Sequence, residues 1–242
     1  MTQGIVYVLV NEAFDSYVKI GKTINLEQRI RQLDNTSSPL PFRCVFAVEV
    51  ADMDKTERLA HSVFADQRVR TNRDFFEVDQ QRVIAALQLT GGRDVTPRDD
   101  IVESIEDTEA IDKVVEKKTR RSNTLFQADL NIGDVLYWHN DESITCTVTG
   151  ERKIRYWDGV TYWSGIEWDP TANEDEPYIW ESLSSAALCI LNKDGYKWKS
   201  VNGWRYWMYD GETIAERLQR VLDEKARTTN TVSGRFQLGK RY

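Results

Sequence analysis

The sequence predicts an α+β protein made of two units, a small α/β unit followed by a Trp-rich unit dominated by β-strands. All eight tryptophans lie after residue 137, and one mixed core would not segregate its largest side chains so completely. The first ninety residues also alternate short β-branched or aromatic runs with amphipathic, helix-like stretches, whereas the second half has short runs separated by turn-forming pairs.

The first unit, expected over residues 1–92, begins with a predicted β-hairpin. Residues 4–10 and 17–20 are β-branched and aromatic runs joined by a polar turn. Asn25 then opens a predicted helix that carries Leu26, Ile30 and Leu33 on one face. The remaining predicted elements are a buried strand over 42–50, a helix from about Asp52 through Phe64, a short strand at 75–78, and a helix over 80–89 ended by Gly91-Gly92.

A charged helical linker is expected over residues 93–124. Residues 96–99 read Thr-Pro-Arg-Asp, which is typical of a helix start because a hydroxyl caps the first turn and proline fits inside it. A narrow apolar stripe follows, formed by Ile101, Ile105, Ile111 and Val115. The stripe fits a solvated connector helix, and a short dimerising coil is the alternative.

Tight turns and capping motifs define the second unit, expected over residues 125–226. Strands at 153–157 and 160–163 flank Asp158-Gly159, a pair that favours a hairpin turn. The run at 184–187 predicts the start of a short helix, and Asn202-Gly203 predicts a tight turn. Thr213 and Glu216 form a predicted capping box for a helix through about residue 224, and residues 227–242 are expected to be a flexible tail.

Composition excludes several classes of protein. The chain is 40% hydrophobic and 29% charged, as in globular proteins, and it has neither an apolar run of membrane-spanning length nor a signal pattern. Its scattered cysteines, Cys44, Cys146 and Cys189, form no disulfide framework and no metal knuckle, which favours a reducing cytoplasm.

The net charge of −7 disfavours strong, indiscriminate nucleic-acid binding. Residues 1–92 are nevertheless near neutral, with eleven Lys and Arg residues against twelve Asp and Glu residues. Eight of those eleven cations are arginines, whose planar guanidinium groups bind phosphate oxygens in pairs. Local patches of the first unit can therefore still bind DNA.

Polar side chains on the short strands and first helical turns of this unit are expected to converge on one face. Arg29 follows Gly21 by eight residues, where a phosphate would contact both its guanidinium and a helix N-terminus. Glu57 and His61 share a helix face because they are four residues apart. From spacing alone, a solvated carboxylate and a packing or capping histidine are the alternative. The candidates are Tyr7, Lys19, Gly21, Arg29, Glu57 and His61.

Several motifs follow one another in order over residues 4–90. Two strand motifs read Gly-Ile-Val-Tyr at 4–7 and Lys-Ile-Gly-Lys-Thr at 19–23. They are followed by Asn-Leu-Glu-Gln-Arg at 25–29, a Glu-x-x-x-His helix at 57–61 and Asp-Phe-Phe-Glu-Val at 74–78. This series resembles a GIY-YIG nuclease domain of the phage-type DNA-binding branch, and the resemblance covers about a third of the chain.

The resemblance implies hydrolysis of a phosphodiester bond with one divalent ion, Mg²⁺ or Mn²⁺. By position, Glu57 would bind the metal, Arg29 would stabilise the pentacoordinate phosphate, and Tyr7 would orient or deprotonate the attacking water. Lys19 replaces the second family tyrosine, where it would stabilise phosphate charge or share the base role, and His61 is a further proton-handling candidate. The asparagine that often ends the domain has no clear equivalent, so a domain that binds DNA without cutting it is the alternative.

The second unit carries a Ser-Leu-Ser-Ser-Ala-Ala helix at 182–187 and an Asn-Gly-Trp-x-x-Trp segment at 202–207. Over about 130–224 it resembles a RAMA domain, a module associated with restriction enzymes and adenine methylation. The resemblance implies recognition of modified DNA by aromatic rings that stack on or enclose a base. Packing in a β-rich core is the alternative for each ring. The implied reader residues are Trp157, Trp163, Ser184, Ser185, Asn202, Trp204 and Trp207.

Together the resemblances imply a modification-dependent endonuclease of restriction or phage defence that acts on double-stranded DNA. The first unit would contact phosphates and the second would decide where it acts. A non-catalytic DNA-binding protein is the second hypothesis, and a regulator whose Trp-rich module binds a protein or small ligand is the third. Cleavage of both strands would need two copies of the chain, as in a homodimer, or two sequential nicks.

Overall fold

A computed structural model of the protein describes residues 2–14, 17–34, 38, 40–70, 72–99, 123–157 and 179–237. The chain divides into two compact units, one of residues 1–122 with 191–199 and one of residues 123–190 with 200–242. The described residues contain two antiparallel sheets and five α-helices, so the predicted α+β class is confirmed. None of the described helices is both long and apolar enough to span a membrane.

The first unit is built on a five-stranded sheet with the order β4-β2-β1-β3-β5. Its strands are β1 (Gly4–Val10), β2 (Val18–Thr23), β3 (Arg43–Val50), β4 (Phe75–Phe76) and β5 (Arg93–Asp94). The central strand β1 places Tyr7 opposite Gly21 of β2 and opposite Ala47 of β3. Because side chains alternate along a strand, Gly21 lies on the face of Tyr7 and Lys22 on the other face.

Three helices cover this sheet: α1 (Leu26–Leu33), α2 (Met53–Val63) and α3 (Gln80–Gln88). Their N-caps, Asn25, Asp52 and Asp79, each accept a hydrogen bond from a backbone N–H of the first turn. Leu26 and Ile30 of α1 are buried in the cluster that holds Tyr7. His61 of α2 packs on Phe76, which lies on the face opposite the cluster, so α1 and α2 cover opposite faces.

The sheet of the first unit continues past the boundary expected at residue 92. Arg93 and Asp94 pair with β3, where Arg93 lies opposite Glu49. The Thr96 hydroxyl accepts the Ala47 N–H at 3.0 Å and donates to the Asp94 carboxylate at 2.6 Å. Thr96 therefore fastens the chain to the sheet, and its expected role as a helix cap is corrected. Residues 100–122, where the linker stripe was expected, lie outside the described residues.

The second unit has a six-stranded sheet with the order β11-β10-β6-β7-β8-β9. Its strands are β6 (Val135–Trp138), β7 (Asp141–Gly150), β8 (Lys153–Trp157), β9 (Ile179–Trp180), β10 (Trp207–Tyr209) and β11 (Glu212–Thr213). Two helices accompany it, α4 (Leu183–Lys193) and α5 (Ile214–Gln237). Strand β8 is where it was expected, whereas the Asp158-Gly159 turn and the strand predicted at 160–163 lie outside the described residues.

Helix α5 begins as predicted and ends much later. Glu216 accepts the Thr213 N–H at 3.1 Å and donates its own N–H to the Thr213 hydroxyl at 3.2 Å, so the capping box is confirmed. The helix continues to Gln237, which corrects its predicted end near residue 224 and, as far as residue 237, the flexible tail expected over 227–242. Residues 238–242 lie outside the described residues. Arg220 and Glu224, 3.3 Å apart, form an i,i+4 ion pair within the helix.

The tryptophans and cysteines refine the two-unit prediction. Trp198 belongs to the first unit, where the Arg43 guanidinium lies 5.2 Å from its ring centre, so tryptophan is not confined to the second unit. All three cysteines are buried free thiols, as expected for a chain without a disulfide framework.

Candidate active site

The Tyr7 ring lies across strand β2 directly over Gly21. A Cβ atom on Gly21 would lie 2.5 Å from Tyr7 Oη and 2.7 Å from Cζ, so only glycine leaves room for the ring. Arg29 Nε, from the first turn of α1, donates a hydrogen bond to Tyr7 Oη at 3.2 Å. The structure thus brings together the candidate water-handling phenol and the candidate phosphate-binding guanidinium, as the sequence predicted.

Burial is the main influence on the ionisation of Tyr7, whose residue surface is 1% exposed. Desolvation raises the pKa of the phenol, the neighbouring Arg29 lowers it, and the charges of Glu57 and Asp74 raise it further. The net shift is upward, so Tyr7 keeps its proton at neutral pH.

Glu57 and Asp54 hold one ammonium group between them. Lys22, on the α2 face of strand β2, places Nζ 2.6 Å from Glu57 Oε2 and 3.1 Å from Asp54 Oδ1. The Glu57 side chain is 17% exposed and that of Lys22 is 33% exposed. The two carboxylates raise the pKa of Lys22, so the ammonium form persists. Glu57 is therefore balanced by a cation of the chain itself.

Lys19 lies on the same face as Tyr7 and is held by an ion pair. Its Nζ is 3.3 Å from Asp74 Oδ2 and 5.0 Å from the centre of the Phe75 ring, and its side chain is 9% exposed. Asp74 also accepts a hydrogen bond from Arg68 at 3.2 Å. Lys19 thus supplies a fixed positive charge at the edge of the sheet.

His61 makes a backbone contact at the point where strands β2 and β4 separate. Its Nε2 lies 3.1 Å from the Ile20 carbonyl oxygen. A carbonyl oxygen only accepts hydrogen bonds, so this contact requires a proton on Nε2. On the other side of the same residue, the Ile20 N–H donates to the Asp74 carbonyl at 3.1 Å. Any proton-handling role of His61 is therefore left to Nδ1.

Sequence reasoning missed three charged groups of the site, namely Lys22, Asp54 and Asp74. Two ordinary signals would have found the first two. Strand alternation turns Lys22 toward the helix that follows β3, and Asp54 lies one helical turn before Glu57. No pattern in the sequence indicates that Asp74 meets Lys19, because their contact joins residues 55 positions apart.

The donor set fits a hard divalent cation that takes few ligands from protein. Over the described ranges, no group of three or more His, Cys, Asp or Glu residues is arranged to hold a metal ion. Glu57 and Asp54 supply the oxygen donors that Mg²⁺ prefers, and this ion commonly keeps water and phosphate as its remaining ligands. Lys22 occupies Glu57 Oε2 through a partly exposed, flexible side chain, so a cation would compete with its ammonium group.

Trp207, one of the expected reader residues, belongs to the core of the second unit. It is 0% exposed, and its ring meets those of Trp138 and Tyr156 edge-on at 5.5 and 5.6 Å. Its Nε1 donates to the Leu183 carbonyl at 3.1 Å. The expectation that this ring lies near the surface and stacks on a base is therefore corrected.

The two motifs of the second unit bind each other. A Cβ atom on Gly203 would collide with the backbone of Leu183, and the Gly203 N–H donates to the Ser184 hydroxyl at 3.1 Å. Asn202 caps a short 3₁₀ helix by accepting the Trp204 N–H at 3.2 Å, which replaces the tight turn predicted there. The Ser185 N–H is bound within the first turn of α4, by the Ser182 hydroxyl at 3.1 Å.

Trp204 remains the best placed of the described reader candidates. It is half-buried, at the start of the 3₁₀ helix. The side chain of Trp157 and the whole of Trp163 lie outside the described residues.

Residues 4–90 match the model of the T5orf172 domain. This domain is phage-type and endonuclease-associated, and it is compatible with a GIY-YIG-like nuclease. The match contains all six candidate residues of the first unit and covers about a third of the chain. Comparisons with curated proteins and with solved structures gave no match. The match therefore indicates a nuclease or DNA-binding function for the first unit.

Proposed function

We propose that the protein is a Mg²⁺-dependent DNA endonuclease whose first unit hydrolyses a phosphodiester bond and whose second unit selects modified double-stranded DNA. The contact between Tyr7 and Arg29 over Gly21 carries this proposal. It joins a phenol that retains its proton to a guanidinium that still has donors to offer, and the charge of Glu57 acts electrostatically on that phenol. The T5orf172 match supports the more general part of this proposal, which is a nuclease or DNA-binding function.

Arg29 is suited to bind the scissile phosphate. Its Nε is used on Tyr7, and the described residues provide no partner for its two terminal nitrogens. A guanidinium fixed through one nitrogen presents the other two in a rigid plane, which matches a pair of phosphate oxygens. Charge that develops on the phosphate in the transition state would thereby be stabilised without reorganisation of the side chain.

Tyr7 would orient the attacking water through its hydroxyl group. The raised pKa of the phenol favours orientation over deprotonation at neutral pH. Glu57 would hold the divalent ion, with Mn²⁺ as a substitute. When bound, such an ion supplies an activated water and neutralises phosphate charge. Lys22 would leave Glu57 at that stage and lie free to pair with DNA phosphate.

The second unit would determine where the first one acts. Of the two described reader tryptophans, Trp204 is half-buried and Trp207 is buried, so Trp204 would contact the base, with Trp157 and Trp163 completing the proposed aromatic set. Once the second unit is bound, the tether raises the concentration of phosphates around the first unit, so little intrinsic affinity is needed there. This division of roles agrees with the net charge of −7.

A nicking assay on supercoiled plasmid tests the proposal. Wild type and Glu57→Gln are compared on adenine-methylated and unmodified plasmid with Mg²⁺, and Glu77→Gln is the matched control because it neutralises an exposed glutamate of the same unit outside the candidate site. Glu57→Gln should slow nicking by about a hundredfold or more, the scale for loss of a charge-stabilising group, while Glu77→Gln slows it much less. Equal inactivity of wild type and Glu57→Gln on both plasmids would refute the enzymatic proposal.

A catalytically inactive DNA-binding protein is the second candidate. The observation in its favour is Lys19, which stands where the related domains have tyrosine and is fixed on Asp74. Titrations with methylated, hydroxymethylated and plain duplexes of one sequence test recognition separately from cleavage. Equal affinity for all three duplexes would refute the modified-DNA reader.

A further inference from the structure

Residues 68–70 and 72–76 form the two arms of a hairpin beside strand β2. Arg68 bridges to Phe76, and the Val69 N–H donates to the Phe75 carbonyl at 3.0 Å. The tip is a turn in which the Arg73 N–H donates to the Arg70 carbonyl at 3.0 Å. The sequence predicted the second arm of this hairpin, as a short strand at 75–78, and did not predict the hairpin itself.

The Arg68 side chain fixes the shape of this tip. Its Nε donates to the Arg73 carbonyl at 2.7 Å, and a terminal nitrogen donates to the Asp74 carboxylate at 3.2 Å. Its guanidinium also lies 5.6 Å from the centre of the Phe76 ring. Arg68 therefore has a structural role in the hairpin, and its contacts hold the segment that carries Arg70 and Arg73.

The strand register directs the tip toward the candidate site. Lys19 lies opposite Phe75, and the next residue, Ile20, donates its N–H to the Asp74 carbonyl. Arg73 directly precedes Asp74, whose carboxylate lies 3.3 Å from Lys19 Nζ in the candidate site. The pairing of these two strands therefore places the tip next to the Lys19 end of that site.

The tip presents uncompensated positive charge. Arg70 and Arg73 are both exposed, and within the described part of the chain neither guanidinium has an ion-pair or hydrogen-bond partner. The nearest acid in sequence, Asp74, is already bound by Lys19 and Arg68. In a chain of net charge −7, two free arginines at the edge of the site form a local attractive patch for polyanions.

We propose that Arg70 and Arg73 bind the sugar-phosphate backbone of duplex DNA beside the cleavage site. This inference rests on the proposed function and adds to it the surface that holds the substrate. Each guanidinium would contact phosphate oxygens, which position DNA without reading its sequence. The arginine pair would therefore contribute affinity and salt dependence, and leave the chemical step to Tyr7, Arg29 and Glu57.

Salt dependence of binding tests this proposal. Affinity of the full chain for a fluorescein-labelled plain duplex is measured by anisotropy over a series of KCl concentrations. Loss of two phosphate contacts should reduce the slope of log K against log[salt] by about two in Arg70→Gln/Arg73→Gln. Arg31→Gln/Arg93→Gln removes the same charge from two arginines that are paired with glutamates, and its slope should match wild type.

A lysine variant separates charge from folding. Arg70→Lys/Arg73→Lys keeps both charges and should retain most of the wild-type slope, and circular dichroism spectra of all variants should coincide. An unchanged slope in the glutamine variant, while wild type binds DNA, would overturn this inference and leave the proposed function standing. Wild type that binds no DNA at any salt concentration would overturn both.

Discussion

Each unit has a glycine in close contact with a motif that the sequence assigned to function, Gly21 in the first unit and Gly203 in the second. The atoms that surround the two glycines differ. At Gly21 the limiting neighbour is the end of the Tyr7 side chain, and charged groups with available donors lie around it. At Gly203 the limiting neighbours are backbone atoms of Leu183, and the polar groups nearby are bound to one another. Equally specific sequence motifs can thus leave polar groups open to a ligand in one unit and serve packing in the other.

The groups that the sequence assigned to function differ between the two units in how far their hydrogen bonds are satisfied. In the second unit, Trp207 Nε1 and the Ser184 hydroxyl each have a backbone partner within the motif. In the first unit, the terminal nitrogens of Arg29 have no partner among the described residues, and Glu57 is balanced only by a partly exposed lysine. Polar groups that lack a partner or have a weakly held one are available to a ligand, whereas buried and hydrogen-bonded groups stabilise the fold.

The largest expected effect is the loss of stability in Trp207→Ala. Removing a fully buried indole leaves a cavity and breaks the bond to Leu183, so the free energy of unfolding should fall by about 3–5 kcal/mol. Trp204→Ala, in a half-buried ring of the same motif, should lose much less. Urea unfolding followed by the fluorescence of the remaining tryptophans measures both. A stable Trp207→Ala that fails only in binding modified DNA would restore Trp207 as a reader.

A pair of glycine substitutions sharpens the same comparison. Gly203→Ala should lower the free energy of unfolding by about 1–3 kcal/mol, because backbone atoms cannot move aside for the new methyl group. Gly21→Ala should displace the Tyr7 ring from Arg29 and reduce nicking. Unfolding curves and the plasmid assay are run on both variants. Full nicking activity in Gly21→Ala would show that the position of Tyr7 is not required.

Much of the first unit was predictable because its signals are local. Helix α1 follows from the Asn25 cap and the spacing of Leu26 and Ile30, and each predicted boundary lies within a few residues of the observed one. Strand β5 was missed because two exposed, charged residues show no strand periodicity. The length of α5 was missed because its last turns lack an apolar stripe, although side-chain pairs support it locally.

Part of the membership of the candidate site was predictable, and the pairings within it were not. Sequence indicated Tyr7, Arg29 and Glu57 through motif order. It did not indicate that Lys22 neutralises Glu57 or that Asp74 fixes Lys19, since both contacts join distant segments. The expectation that Trp207 is exposed was wrong because position near a turn says nothing about the side to which a ring points.

The smallest predicted effect concerns Lys22, the cation that is paired with Glu57. If the Lys22 ammonium competes with a metal ion for Glu57 Oε2, Lys22→Gln should bind Mn²⁺ more tightly. The gain should be about two- to fivefold, because a partly exposed ion pair is weak. Isothermal titration calorimetry with Mn²⁺ in the absence of DNA measures this change in affinity. Lys55→Gln is the control, since Lys55 lies on the same helix and forms no ion pair with Glu57 among the described residues. Equal gains in the two variants would mean that net charge alone sets metal affinity, and weaker binding by Lys22→Gln would mean that Lys22 helps to position the carboxylate.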